Sequence, residues 1–182
     1  EIRDELLRCF RRPSVQTMMS RKSSITNAFV NSVIPVIDPT AEEIGEALRI
    51  LHLNARDLRC AYCGDTASEW DHLRPLVIKR RPTGFITEIG NLVPSCGKCN
   101  QSKGNKPWRE WMLGRAPRSP KARGISDLEA RIQRLASYEA WRPPTQVDFQ
   151  QVLGAEKWHE YWQTWERLIV SMRAAQDTAD TL

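Results

Sequence analysis

Cys60-Ala-Tyr-Cys63 and Cys96-Gly-Lys-Cys99 are two CxxC pairs, and Trp70-Asp71-His72 lies between them. Each CxxC turn presents two thiolates to a metal ion, and two such turns supply the four tetrahedral ligands of a structural Zn²⁺ site. In a reducing compartment such pairs indicate a metal site rather than disulfides. We therefore expect one structural zinc ion, which would contribute directly to the folding of so short a segment. The alternatives are a redox pair or free thiols.

The fifth cysteine, Cys9, lies in a charged stretch of residues 1–12 with helical patterning and no visible secretory signal. Leu6, Leu7 and Phe10 are close to it in the sequence. A cysteine outside metal or disulfide chemistry commonly behaves as a small apolar residue. We therefore expect Cys9 to be buried.

Short apolar pieces and turn residues around the cysteine pairs predict two strands followed by a helix. The strands are expected at about Glu69–Leu73 and Asn91–Pro94, and the helix begins at about Gly97. Pro107 suits the first turn of a further helix, which would run from Trp108 to Leu113.

The flanking sequence predicts further helices. Thr40-Ala41-Glu42-Glu43 and Ser126-Asp127-Leu128-Glu129 both have the pattern of a capping box. A long last helix is expected from about Ala155 to Ala175, with a wide apolar stripe. The stripe consists of Trp158, Tyr161, Trp162, Trp165, Leu168, Ile169 and Met172. It predicts a buried core or a partner interface, such as a homodimer contact, in preference to a base-stacking surface.

Positive charge is concentrated around the cysteines. Residues 59–124 hold 13 Lys and Arg against 5 Asp and Glu, whereas the remainder holds 14 against 17. A basic segment favours a polyanionic partner, because binding releases counterions. The alternative is ordinary solvated surface charge. No apolar run approaches the roughly 20 residues that cross a bilayer, so we expect no membrane partner and a cytoplasmic location.

Four residues near the cysteines have the chemistry for phosphodiester hydrolysis. An oxygen of Asp71 can bind Mg²⁺, and the neutral imidazole of His72 can accept a proton near pH 7. Asn100 follows the last cysteine and offers a second oxygen. Lys103, one helical turn later, can reach a phosphate. Neighbours on a strand point to opposite faces, so Asp71 and His72 would need a bend or a strand end to serve one site.

The stretch from Cys60 to Pro107 resembles the HNH endonuclease family, the ββα-metal nucleases. The resemblance rests on the two cysteine pairs, the Asp71-His72 pair, Asn91, and the ending Cys99-Asn-Gln-Ser-Lys103, all in the family's order. It implies an α+β, mostly helical fold, in which a small zinc-stabilised ββα core is flanked by N- and C-terminal helices.

The resemblance also implies roles for single residues. His72 would be the general base, and Asn91 would brace the hairpin loop that orients it. Asp71 and Asn100 would hold the catalytic metal. Because Asn100 stands where the family often has histidine, an oxygen-only site for Mg²⁺ or Mn²⁺ is favoured over catalytic Zn²⁺.

Arg74, Lys103 and Lys106 are the residues that we expect to bind nucleic acid. The predicted segments are 1–58, an N-terminal helical extension, 59–113, the HNH core with its zinc site, and 114–182, a basic linker (114–124) followed by C-terminal helices.

The function implied by these observations is metal-dependent hydrolysis of DNA, most simply double-stranded DNA. A restriction-type or mobile-element nuclease from a bacterial or phage-like source would fit. A zinc-stabilised nucleic-acid-binding module without catalysis is the first alternative. The second is an interaction protein built on the Trp-rich C-terminal helix.

Overall fold

The computed structural model of this protein describes residues 2–10 and 13–182. Glu1, Arg11 and Arg12, which the sequence places in a charged helical start, lie outside the described residues, as does the side chain of Leu6. In the part described, helix far exceeds strand, which confirms the α+β, mostly helical prediction. None of the described helices is long and apolar enough to span a membrane.

Helices flank a small strand region on both sides. The described α-helices are α1 (Ile2–Cys9), α2 (Lys22–Asn31), α3 (Ala41–Leu51), α4 (Gly97–Lys103), α5 (Trp108–Leu113), α6 (Leu128–Trp141), α7 (Phe149–Leu153) and α8 (Ala155–Ala179). The described strands are β1 (Glu69–His72), β2 (Val77–Ile78), β3 (Arg81–Pro82) and β4 (Leu92–Ser95). Short 3-10 helices cover Met18–Arg21 and Ile89–Asn91.

The predicted ββα unit is present. Strands β1 and β4 pair antiparallel, with Glu69 opposite Ser95 and His72 opposite Leu92. Helix α4 follows β4 after a single residue, Cys96. A second antiparallel pair, β2 with β3, forms a hairpin that the sequence analysis did not predict.

A first core surrounds the cysteine pairs and is built from α3, β1, β4, α5 and α6. Its largest wholly buried side chains are Tyr62, Trp111 and Tyr138, and the rings of Tyr62 and Trp111 meet edge to face at 5.2 Å. The Tyr138 hydroxyl shares its single proton between the carbonyl oxygens of Ile89 and Leu92. Helix α6 is thereby fixed to the turn that leads into β4.

A second core lies between α2, the β2–β3 hairpin, α7 and α8. Trp162, Trp165 and Ile169 of α8 are buried there, and Tyr161 stacks on Phe29 of α2 at 4.0 Å between ring centroids. The Trp-rich stripe of α8 therefore packs largely within the chain. The surface on which the homodimer prediction relied is mostly buried in this fold.

One of the two predicted capping boxes is confirmed. The Glu43 N–H donates to Thr40 Oγ1 at 3.2 Å, and the Thr40 N–H donates to Glu43 Oε2 at 2.9 Å. The capping box at Ser126 is wrong. Asp127 is the cap residue of α6, and its carboxylate binds the guanidinium groups of Arg131 and Arg134 instead of backbone N–H groups.

The prediction that Cys9 is buried is also wrong. Cys9 is exposed, because α1 leaves its apolar side chains in solvent, including Leu7 at 66% exposure. Residues 114–124, predicted as a basic linker, are packed against the first core: Ser119 and Pro120 are wholly buried. The division of the chain into three segments stays a prediction, and residues of all three contribute to each core.

Candidate active site and metal centre

The four cysteines of the CxxC pairs form one buried cluster. Their sulfur atoms all lie within 4.8 Å of one another, and Cys63 Sγ is 3.7 Å from Cys96 Sγ. Four thiolates at the usual Zn–S bond length of about 2.3 Å stand about 3.8 Å apart in a tetrahedron. The donor set and its spacing therefore fit a structural zinc ion.

Turns at each pair set this geometry. The Cys60 N–H donates to the Asp65 carbonyl at 2.7 Å, and the Gly64 N–H donates to the Cys60 carbonyl at 2.9 Å. Gly64 has a φ of +83°, a left-handed conformation that glycine adopts without steric cost. Arg123, from the segment predicted as a linker, lies 3.7 Å from Cys99 Sγ and binds Asp65 at 2.9 Å. Its positive charge offsets part of the charge of the thiolates.

Asp71 lies on the inner face of β1 and is 5% exposed. Its Oδ2 accepts a hydrogen bond from the Tyr62 hydroxyl at 2.6 Å and forms an ion pair with Lys103 Nζ at 3.1 Å. Oδ1 receives only a longer contact of 3.4 Å from the same ammonium. Burial raises the pKa of Asp71, although Lys103 and Tyr62 both favour the charged form. The carboxylate is thus firmly oriented but keeps acceptor capacity on Oδ1.

Lys103 is wholly buried, so its predicted role in reaching a phosphate is wrong. Its ammonium donates to Asp71, to the His72 carbonyl at 2.7 Å and to the Gly104 carbonyl at 3.3 Å. These partners use its three protons, and burial lowers its pKa. Lys103 therefore joins α4 to β1 beneath the site.

His72 is half-buried, and its Nε2 lies 2.9 Å from Thr87 Oγ1. Burial and, to a lesser extent, the charge of Lys103 lower the pKa of His72 to about 4. The imidazole is therefore neutral at pH 7, as a general base requires. The tautomer that donates from Nε2 to Thr87 leaves Nδ1 as the basic nitrogen.

Asn91 is wholly buried and joins the two ends of the loop between β1 and β4. Its Oδ1 accepts from the Arg74 N–H at 2.8 Å, and its Nδ2 donates to the carbonyls of Arg74 at 3.2 Å and Ile86 at 3.3 Å. The Leu73 N–H donates to the Asn91 carbonyl at 2.8 Å. These bonds fix the backbone directly after His72, which supports the bracing role implied by the resemblance.

Asn100 lies in the first turn of α4, and its Nδ2 donates to Glu69 Oε2 at 3.0 Å. This bond orients the amide and leaves its oxygen, the atom that a metal would bind, on the other side of the group. Glu69 was missed in the sequence analysis. A signal was present, because Glu69 stands two residues before Asp71 and so lies on the same face of β1. Thr87, the partner of His72, gave no such local signal.

The candidate residues meet at one cavity of about 360 Å³. Asp71, His72 and Asn100 line it, together with Asn27 and Asn31 of α2. Carboxylate and amide oxygens are ligands suited to Mg²⁺ or Mn²⁺. Neighbours on a strand were expected to point to opposite faces. Asp71 and His72 nevertheless both line this cavity, because they lie at the end of β1.

The other two predicted nucleic-acid-binding residues differ in exposure. Arg74 Nη2 pairs with Glu139 at 2.8 Å, the guanidinium lies 5.6 Å from the centroid of the Phe85 ring, and Nη1 is buried with no hydrogen-bond partner among the described residues. Lys106 is exposed, and its Nζ donates to the Ser102 carbonyl at 2.8 Å. The geometry supports a contact with nucleic acid for Lys106 and argues against one for Arg74.

Comparison with known proteins finds similarity in the same region of the chain. Residues 60–106 match the family model described as HNH endonuclease. A CRISPR-associated endonuclease Cas9 from Corynebacterium diphtheriae is 39% identical over 67 residues, which are 35% of this chain and 6% of the relative. A second Cas9, from Actinomyces naeslundii, is 34% identical over 71 residues, or 37% of this chain and 6% of the relative. The chain thus spans only a small part of either relative's length.

No solved structure matches the chain significantly. The family match, the two relatives and the cysteine cluster agree on one region of the chain. Residues 60–106 (the HNH segment), which hold the two cysteine pairs, Asp71, His72 and Asn100, therefore match the HNH endonuclease family.

Proposed function

We propose that this protein is a metal-dependent endonuclease that hydrolyses phosphodiester bonds in DNA. The observation that carries the proposal is that three residues of the HNH segment, Asp71, His72 and Asn100, line one cavity. Both relatives are endonucleases by name, but the chain covers 6% of each, so activity of this chain is inferred from its own site.

In the proposed mechanism His72 removes a proton from a water molecule, which attacks the phosphorus atom in line with the leaving oxygen. Asn91 holds the backbone beside His72, and Thr87 fixes one ring nitrogen. A Mg²⁺ or Mn²⁺ ion held by Asp71 and Asn100 would supply positive charge beside the phosphate and the leaving 3′ oxygen. Tyr62 and Lys103 keep the Asp71 carboxylate in position.

The proposed substrate is double-stranded DNA, because the excess positive charge of residues 59–124 favours a polyanion of high charge density. Both relatives come from bacteria, and a bacterial cytoplasm is the proposed setting. A restriction or mobile-element role would fit this setting. We do not include the homodimer, because its predicted surface on α8 is mostly buried.

The test is cleavage of supercoiled plasmid in the presence of Mg²⁺ or Mn²⁺. His72→Ala should lower the cleavage rate by about 10²- to 10⁴-fold, the usual contribution of a general base. His159→Ala is the matched control, because His159 is exposed on α8 and bonded only locally, to Gln163. Equal rates for the two variants would remove His72 from the mechanism.

One observation favours a second candidate, a nucleic-acid-binding module without catalysis. The Asp71 carboxylate is already engaged by Tyr62 and Lys103, which compete with a metal ion for its lone pairs. The same assay separates the candidates. DNA binding without cleavage by the unaltered protein, in either metal, would support the binding module and contradict the endonuclease.

A further inference from the structure

A second cavity, of about 150 Å³, adjoins the catalytic cavity. The two share Asn27, Val77 and Asn105 as lining residues, so they lie side by side. The second cavity adds two cations, Lys22 at the start of α2 and Arg80 at the tip of the β2–β3 hairpin. None of the described residues that line it is acidic.

The positive charges of Lys22 and Arg80 both lie at this cavity. Desolvation lowers the pKa of Lys22, and the charges of Arg80 and Arg173 lower it further. Arg81, the next residue of the hairpin, is different. It pairs with Glu166 at 3.0 Å and lies over the ring of Trp162 at 4.3 Å, so its charge is matched within the fold. Lys22 and Arg80 thus place two like charges on one cavity, and a bound anion would reduce their repulsion.

The hairpin tip holds Arg80 in an unfavourable backbone conformation. Lys79 has a φ of 49° and Arg80 a φ of 66°, and these two residues form the whole loop between Ile78 and Arg81. Loops of this kind strongly prefer Asn-Gly, because side chains with branched or long stems rarely adopt positive φ. Residues kept in such conformations cluster at functional sites. Here two cationic side chains occupy the positions at which the fold alone would favour Asn and Gly.

We propose that this second cavity is a binding subsite for a backbone phosphate of the DNA strand, next to the phosphodiester bond that is cleaved. Lys22 supplies a point charge and Arg80 a planar fork of donors, while Ser23 and Asn27 add neutral hydrogen-bonding groups. The inference rests on the proposed function, since it assumes that a DNA strand occupies the adjoining catalytic cavity. Helix α2, outside the HNH segment, thereby becomes part of the substrate-binding surface.

Binding without cleavage tests this subsite independently of catalysis. The full chain is titrated with fluorescently labelled duplex DNA at several NaCl concentrations, in buffer without added Mg²⁺ or Mn²⁺. Lys22→Gln and Arg80→Gln should each weaken binding several-fold and reduce the slope of log K against log salt by about one. Lys157→Gln is the control, since Lys157 is exposed and lines neither cavity.

Two further measurements keep the result interpretable. Arg80→Lys should restore most of the affinity, which separates charge from folding, and zinc content should match that of the unaltered chain. The subsite is overturned if Lys22→Gln and Arg80→Gln bind DNA with the affinity and salt slope of Lys157→Gln. It is also overturned if the loss appears with RNA of the same sequence but not with DNA. A failure of the endonuclease itself would show instead as absent plasmid cleavage with these binding differences intact.

Discussion

The two cores of this protein are stabilised in different ways. The first encloses four cysteine sulfurs and the buried Asp71–Lys103 pair, whereas the second is built from stacked and edge-to-face aromatic rings such as Phe29, Tyr161 and Trp162. The catalytic candidates lie beside the first core, and Asn27 and Asn31 of α2, a helix of the second core, line the same cavity. If the proposed function holds, the core around the four cysteines positions the catalytic candidates, and the aromatic core supports the surface beside them.

Removal of zinc should produce the largest difference in stability between the two cores. Structural zinc sites in small domains bind with about 10 kcal/mol or more, and that energy is largely folding energy. We expect elemental analysis to find one zinc ion per chain. Stripping it with a strong chelator should abolish amide hydrogen-exchange protection in β1, β4 and α4 before that of α8.

Mild chelation is the control for this experiment. It should remove Mg²⁺ or Mn²⁺ and stop cleavage while the thermal unfolding curve stays unchanged. The proposal that zinc stabilises the first core would be contradicted if the native protein contained no zinc. It would also be contradicted if β1 and α8 lost hydrogen-exchange protection equally.

Lys103→Met should destabilise the first core by about 3–5 kcal/mol, because it leaves the Asp71 charge buried without its partner. The side chains are 1% and 6% exposed, so solvent screens the pair little. Urea denaturation measures the loss. The double variant Asp71→Asn with Lys103→Met should recover much of it, since no buried charge then remains. A double variant no more stable than Lys103→Met alone would show that the ion pair is not what the lysine contributes.

Trp165→Ala should destabilise the second core by about 3 kcal/mol, at the lower end of the range for buried aromatic residues. Trp165 is 6% exposed, and its indole N–H lies 3.3 Å from Thr26 Oγ1. Val170→Ala, on the same helix but 68% exposed, should change stability by less than about 0.5 kcal/mol. Zinc content should be unaffected in both variants. Loss of zinc from the Trp165→Ala variant would show that the stabilities of the two cores are coupled.

The smallest effect is expected at the hairpin tip, where stability and binding should change in opposite directions. Arg80→Gly removes a side chain from a positive-φ position and should stabilise the fold by about 1 kcal/mol. The same change removes a charge from the second cavity and should weaken DNA binding. Thermal unfolding and the duplex titration measure the two effects on one sample. A variant that gains stability and keeps full affinity would break the link between backbone strain and phosphate binding.

The HNH segment could be predicted closely from the sequence, because its signals are local. The cysteine spacing and the pattern of short apolar pieces predicted β1, β4 and the start of α4 to within about a residue, and Pro107 predicted α5. Asn91 was singled out by motif order, and its buried hydrogen bonds agree with a bracing role. Each of these features depends on residues adjacent in the chain or fixed by the metal ligands.

The remaining features depend on tertiary packing. Lys103 looks like a surface cation on a short helix, and only the closeness of α4 to β1 turns it into a buried partner of Asp71. The β2–β3 hairpin has no turn signal, since Lys79-Arg80 replaces the usual Asn-Gly. Asp127 was expected to support a capping box but is drawn into pairs with arginines one and two turns along α6. The pairing of α2 with α8 could not be read from either helix alone.

Tyr62 belongs to the Cys60–Cys63 turn, yet its hydroxyl holds the carboxylate proposed to bind the catalytic ion. A newly synthesised chain that has not bound zinc would therefore lack both the folded Cys60–Cys63 turn and an aligned Asp71 carboxylate. Metal loading would then act as a maturation step, and the proposed nuclease activity would appear only after zinc is bound.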